Sequence, residues 1–386
     1  MVDLRSGPLR ALRARLRTIV GGGVEEDALF WSLDAPSWAS FDPASSQRFR
    51  GIAIHVGGRR VVSLRVAFDG AEVGSFPIDV DRTDLAPFLA GLPFHSVCGY
   101  DAELPASGGA RRIAFDAVLD DGTAERLFEY DTREAAEARS LAEGLAGRRD
   151  ALPVPPPELV ALTQGISDPA AYAASILPGV LNLRKYLAAA GVDETRLRSL
   201  LDFGCGSGRL LAGWRHLGPD RLLRGCDIRE ELVAWASRSF PPDVDIRLSG
   251  PEPPLPWGDS TFDLAYAVSV FTHLSVASQK AWQRELARVL RPGAAFVVTL
   301  HGSLYVRLLC ADDPSAVRRF STEGHLERGN AEEGSNDWAS FHGPRWAEEV
   351  FESFRLLAHF PSGRIGGRRV LFPVASLQDV YVFRRR

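Results

Sequence analysis

Apolar positions change their spacing along the chain, and each change predicts a different kind of structure. In residues 1–20, Leu9, Leu12, Leu16 and Ile19 recur at helical intervals among Arg5, Arg10, Arg13, Arg15 and Arg17. That pattern predicts a short basic amphipathic helix, a candidate for peripheral contact with an anionic membrane face. Gly21-Gly22-Gly23 marks a hinge, so residues 1–24 read as a leader. From 25 to 131 the apolar runs are short and alternating, at 51–56, 61–68, 112–119 and 126–130, with Asp69-Gly70 and Asp121-Gly122 between them. Such runs separated by Asp-Gly turns predict hairpins, here assembled as an all-β sandwich. A charged Ala/Glu/Arg-rich helix and the stiff run Leu152-Pro153-Val154-Pro155-Pro156-Pro157 follow, making 132–157 a linker.

From 158 to 386 strand-like and helix-like stretches alternate, which predicts a parallel, doubly wound α/β sheet of seven strands. The strands are placed at 200–203, 221–226, 244–248, 262–270, 294–300, 356–360 and 380–383. A helix over 277–290 is stopped by Arg291-Pro292-Gly293. Residues 303–343, with Asp312, Asp313, Gly324, Gly329, Gly334, Asn336 and Trp338, read as a long polar insertion that shapes a pocket.

Composition narrows the choice of function. The 386 residues are 45% hydrophobic and 24% charged with a net charge of −4, which excludes a disordered chain and a whole-surface grip on nucleic acid. Cys98, Cys205, Cys226 and Cys310 are isolated and no histidine spacing resembles a metal site. A reduced, cytoplasmic, metal-independent protein is expected. No run approaches the roughly 18 apolar residues of a membrane span.

The most specific segment is Asp202-Phe203-Gly204-Cys205-Gly206-Ser207-Gly208, with Asp227 nineteen residues beyond the last glycine. A strand, a glycine turn and a helix open a nucleotide-type site, because only glycine lets the backbone turn tightly and approach a ligand. An acid at the end of the next strand suits the two hydroxyls of a ribose. The dinucleotide spacing G-x-G-x-x-G fails, since Arg209 stands at the third position, and Asp202 would repel a pyrophosphate. A nicotinamide-dependent oxidoreductase is therefore disfavoured. An acid at 202 suits a ligand carrying an ammonium and a sulfonium, and S-adenosylmethionine carries both.

This segment, with Gly225-Cys226-Asp227, resembles the cofactor signature of class I S-adenosylmethionine-dependent methyltransferases. Leu255-Pro256-Trp257, Ser269-Val270-Phe271-Thr272-His273-Leu274 and Glu285-Leu286-Ala287-Arg288-Val289-Leu290-Arg291-Pro292-Gly293 follow in the family's order. The resemblance implies that Asp202, Gly204, Cys205, Gly206 and Gly208 hold the methionine part and that Asp227 holds the ribose. It places Ile228 against the adenine and Ser269 beside the methionine amino group, and at the adenine position where many members carry an acid or Asn this chain departs with Ser249. Gln378-Asp379-Val380-Tyr381-Val382 resembles enzymes of bacterial surface-polysaccharide assembly, which implies a saccharide or lipid-linked glycan acceptor. His273, His301 and His342 fall at the carboxyl ends of predicted strands or in nearby loops, where an open α/β sheet binds ligands, and His273 and His301 are the candidate bases. Pro253-Pro254-Leu255-Pro256-Trp257 is not the Asn-Pro-Pro-aromatic box of DNA amino methyltransferases, so the acceptor is expected to be a small molecule or glycan. The alternative is a non-catalytic scaffold or sensor that binds the same cofactor.

Overall fold

The computed structural model describes residues 29–35, 44–55, 58–86, 95–133, 153–164, 167–218, 220–310, 313–329, 338–365 and 378–386, with a few isolated positions between them. The expected leader, its glycine hinge and most of the expected charged helix lie outside the described residues.

The N-terminal strands are β1 (Leu29–Ala35), β2 (Gln47–His55), β3 (Val61–Phe68), β4 (Ala71–Pro77), β5 (Val80–Asp81), β6 (Val97–Leu104), β7 (Arg112–Leu119) and β8 (Ala124–Asp131). They form two four-stranded antiparallel sheets, ordered β1-β2-β6-β5 and β4-β3-β7-β8. The alternation seen in the sequence turns Leu64, Val66, Phe115 and Phe128 of one sheet and Phe49, Ala53 and Tyr100 of the other into one buried cluster. Phe115 stacks on Phe128 at 4.2 Å between ring centroids.

Beyond the proline run come α1 (Pro157–Gln164) and α2 (Pro169–Ala189), then β9 (Ser199–Phe203), α3 (Arg209–Leu217), β10 (Leu222–Asp227), α4 (Glu230–Ser239), β11 (Val244–Leu248) and β12 (Phe262–Ala267). After a 3-10 turn at Phe271–His273, α5 (Val276–Val289) leads into β13 (Leu290–Leu300). Then follow α6 (Ser303–Leu309), α7 (Pro314–Glu323), the hairpin β14 (His325–Arg328) and β15 (Ala339–His342), α8 (Pro344–Val350), β16 (Phe354–Phe360), the two-residue pair β17 (Arg364–Ile365) and β18 (Arg368–Arg369), and β19 (Asp379–Arg385).

The large sheet has seven strands in the order β11-β10-β9-β12-β13-β19-β16. β9 to β13 are mutually parallel, and β19 runs antiparallel between β13 and β16. The parallel strands are apolar on both faces because both are covered: Leu200, Leu264, Tyr266 and Val297 pack with α2 and α3, whereas Leu201, Ala265, Phe296 and Val298 pack with α5 and α8. α2 and α3 approach closely at Gly213, where a Cβ would meet Val180 Cγ2 at 2.6 Å. That contact seats the middle of α3 against α2.

Three expectations are modified. The seven-stranded sheet is mixed and not wholly parallel, because its last strand, β19, inserts antiparallel between β13 and β16. The Arg-Pro-Gly stop lies inside β13: Phe262 pairs with Leu290 and Leu264 with Ala295, so Arg291–Ala294 bulge out between them. The segment 303–343 contains two helices and a hairpin, with Tyr305, Val306, Cys310, Ala316, Phe320, Leu326 and Phe341 as a core of its own. Its polar residues end helices: the Asp313 carboxylate accepts from the N–H groups of Ser315 and Ala316, and Gly324 closes α7 at φ +73°.

Candidate functional site

The glycine turn sits at the carboxyl ends of β9 and β10. Gly204, Gly206 and Gly208 all have positive φ, at +76°, +56° and +83°. The N–H groups of Gly204 and Cys205 both donate to the carbonyl of Cys226, each at 2.9 Å, which ties the turn to β10. Asp227 completes the tie: its Oδ2 accepts from Gly206 N–H at 2.8 Å and its Oδ1 from Arg229 N–H at 3.0 Å. Each oxygen keeps a further lone pair for a ligand.

Beneath the turn lies a buried polar cluster. Asp202, 3% exposed, closes β9 beside Tyr266 of β12, and the Tyr266 hydroxyl faces its carboxyl without closing a hydrogen bond of ordinary geometry. Arg209, at the position where a dinucleotide site has its third glycine, reaches across to α2, where its guanidinium donates to the carbonyl of Ser175 at 3.2 Å. Tyr172 from α2 shares a 2.8 Å hydrogen bond with Ser207 of the turn. Burial, only partly offset by Tyr266 and Arg209, pushes the Asp202 carboxyl up to about 8, with Asp227 adding a smaller upward push.

The opposite wall is apolar and open. Ile228 is 54% exposed and Leu248, which pairs with Asp227 across β10 and β11, is 50% exposed. Two large aliphatic side chains left bare beside a half-buried carboxylate suit a flat heterocycle whose ribose reaches that carboxylate. Ser249 N–H donates to the Asp227 carbonyl, which places Ser249 at the same edge. Ser269 follows β12 with φ +59°.

The histidines lie farther along the same edge of the sheet. His273 ends the 3-10 turn after β12, and its Nδ1 is 3.0 Å from the carbonyl oxygen of Trp338. A carbonyl only accepts, so Nδ1 carries the proton and Nε2 is the basic nitrogen. His301, at the end of β13, stacks on Tyr305 at 4.1 Å and lies 6.3 Å from His273 between ring centroids. Burial and the neighbouring His273 and His342 hold His301 well below the usual histidine range, so it is neutral. His342 is wholly buried and its Nε2 bonds Oε1 of Gln279 at 2.8 Å, while Gln279 Nε2 donates to the carbonyls of Phe271 and Leu274. This chain braces the turn that carries His273.

Residues 201–298 match the family described as "Methyltransferase domain". Solved structures similar to the chain include an S-adenosylmethionine-dependent methyltransferase from Methanosarcina mazei, at 19% identity over 48% of this chain and 92% of that one, TM-score 0.36. Another, from Mesorhizobium loti, shows 16% identity over 53% and 98%, TM-score 0.37. A third, the 1,6-didemethyltoxoflavin-N1-methyltransferase of Burkholderia thailandensis, shows 17% identity over 70% and 95%, TM-score 0.38.

The match points to S-adenosylmethionine as the cofactor, and the residues fit it. The turn has no room for side chains at its first two glycines, since a Cβ on Gly204 would strike Val270 and one on Gly206 would strike Thr163, while Asp227 offers paired acceptors and the bare Ile228 and Leu248 flank them. The glycine spacing and Asp227 are readable in the sequence, and Arg209 is readable there only as a break in the dinucleotide spacing. Tyr172, Tyr266 and Leu248 carried no local signal, because they reach this place by contacts between separate elements.

The buried carboxyl leads to a measurable pH dependence. With a folded pKa near 8, Asp202 is protonated at pH 7, and a cationic ligand group beside it favours the carboxylate. Binding of S-adenosylhomocysteine at pH 7 is expected to release about one proton, and affinity to rise with pH until about 8 and then level. Titration in buffers of different ionisation enthalpy reads the proton, and Asp202→Asn should abolish the buffer dependence. The sign for stability is opposite: a raised carboxyl pKa stabilises the ligand-free protein below the unfolded value near 4, and this is lost as pH rises toward 8.

Proposed function

We propose that the chain methylates a hydroxyl of a saccharide or lipid-linked glycan in the cytoplasm, as part of polysaccharide biosynthesis. In this reading residues 158–386 form the class I catalytic domain, and 25–131 form a β-sandwich domain that positions a large acceptor. The 132–157 stretch links them, and the basic leader is a candidate for contact with the inner membrane face.

The observation that carries the reading is the orientation of His273. A sugar hydroxyl is scarcely ionised at neutral pH, so its methylation gains from a base, whereas an acceptor already bearing a lone pair on nitrogen needs none. Bound at the glycine turn, S-adenosylmethionine supplies an electrophilic methyl group on a sulfonium. Trp338 fixes the His273 ring so that Nε2 can take the hydroxyl proton, and the buried, neutral His301 adds no competing positive charge beside it. The segment 303–343 supplies Trp338, which gives that insertion its part in shaping the acceptor side.

His273→Ala is expected to lower kcat by about 10² to 10⁴-fold and to leave the Kd for S-adenosylhomocysteine unchanged. The assay is acceptor-dependent release of S-adenosylhomocysteine with a panel of sugars and glycolipids. Turnover unaffected by the substitution would remove His273 from the chemistry, and activity confined to amine acceptors would replace the hydroxyl reading.

A further inference from the structure

We infer that Gln378, at the start of the last strand, is a positioning residue for the cofactor site, acting through Ser269. Ser269 holds φ +59°, a left-handed conformation that a non-glycine residue keeps only when its surroundings enforce it. The surroundings here are a closed ring of three side chains. Ser269 N–H donates to Thr299 Oγ1 at 2.8 Å, Thr299 Oγ1 donates to Gln378 Oε1 at 2.5 Å, and Gln378 Nε2 donates to Ser269 Oγ at 2.8 Å.

The directions in this ring are forced. A backbone N–H only donates, so Thr299 Oγ1 accepts from Ser269 and turns its own hydrogen to Gln378. That fixes the Gln378 amide with oxygen toward Thr299 and nitrogen toward Ser269. The Ser269 hydroxyl, already an acceptor from Gln378, keeps its hydrogen for a donor role elsewhere. Thr299 is 1% exposed and Gln378 4% exposed, so water does not substitute for either partner.

The ring joins three strands: Ser269 leaves β12, Thr299 lies in β13 and Gln378 enters β19. Ser269 is also followed at once by Val270, whose Cγ2 occupies the space beside Gly204 of the cofactor turn. Releasing Ser269 therefore moves a wall of that turn as well as the serine. The clamp acts on the position of residue 269 and requires no contact between Gln378 and the ligand.

The test is a double-mutant cycle read by the calorimetric Kd for S-adenosylhomocysteine on the full chain, with thermal unfolding recorded in parallel. Gln378→Met keeps the side-chain volume and removes both hydrogen bonds; it should weaken binding about tenfold or more. Glycine takes positive φ without enforcement, so in a Ser269→Gly background the same Gln378→Met change should alter Kd by less than about twofold. Should Gln378→Met fail to fold, Thr299→Val and Thr299→Ser read the ring from its other side: the valine loses about tenfold in affinity and the serine retains it. A purely structural role for Gln378 would lower the unfolding temperature and leave Kd unchanged, which overturns the inference. Equal losses from Gln378→Met with Ser269 and with Gly at that position also overturn it, since Gln378 would then act by another route.

Discussion

Replacing Asp227 with Ala is expected to weaken S-adenosylhomocysteine binding by about 10² to 10⁴-fold, the worth of two charge-assisted hydrogen bonds at about 1.5–3 kcal/mol each. The carboxylate works in two directions. Inward, it accepts from the backbone of Gly206 and Arg229, which holds the glycine turn and the start of α4 in place. Outward, its remaining lone pairs are available to accept from the two hydroxyls of a ribose. Asp227→Asn is expected to be nearly as damaging as Ala, because both carboxylate oxygens already face backbone donors and an amide would turn an N–H group against one of them. Calorimetric titration checks both variants. Wild-type affinity in either would show that the ribose lies elsewhere.

The cofactor half of the site was legible in the sequence for a physical reason. Its parts are local: a short apolar strand, glycines at positions where a side chain does not fit, and an acid one strand-helix-strand unit later. The lengths of those units bring Gly206 and Asp227 together with little freedom left. The pattern of both-face apolar strands likewise placed the strand centres, because a sheet covered on two sides tolerates few other residues. β13 shows the limit, since Arg291-Pro292-Gly293 carries a turn signal that the structure realises as a bulge within the strand.

What was not legible depends on pairing between distant segments. The Ser269–Gln378 bond spans 109 residues and the Tyr172–Ser207 bond 35, and neither glutamine nor tyrosine announces such a partner in its own neighbourhood. The Trp338 carbonyl that orients His273 is a backbone atom, invisible to any motif. Residues 303–343 misled for a further reason. Asp313 and Gly324 are the residues of loops and equally of helix ends, and only the burial of Phe320 and Leu326 distinguishes the two.

Gly204→Ala should be among the most damaging single methyl groups that can be added to residues 158–386. A Cβ there would lie 2.3 Å from Val270 Cγ2, far inside contact distance, and φ at +76° is itself unfavourable for alanine. Neither side can yield easily. Gly204 is tied through its N–H to Cys226, and Val270 is a β-branched residue directly after the clamped Ser269. The expected cost is about 2–4 kcal/mol of stability together with at least about 100-fold in S-adenosylhomocysteine affinity, because the turn that moves is the turn that binds. Gly293→Ala separates the two causes. Its φ is +80° with nothing within 4 Å of an added Cβ, so it carries the backbone penalty of about 1 kcal/mol alone and should leave affinity untouched. Val270→Ala added to Gly204→Ala removes the struck methyl and should restore part of the affinity, by the share that the clash, and not the dihedral, had taken.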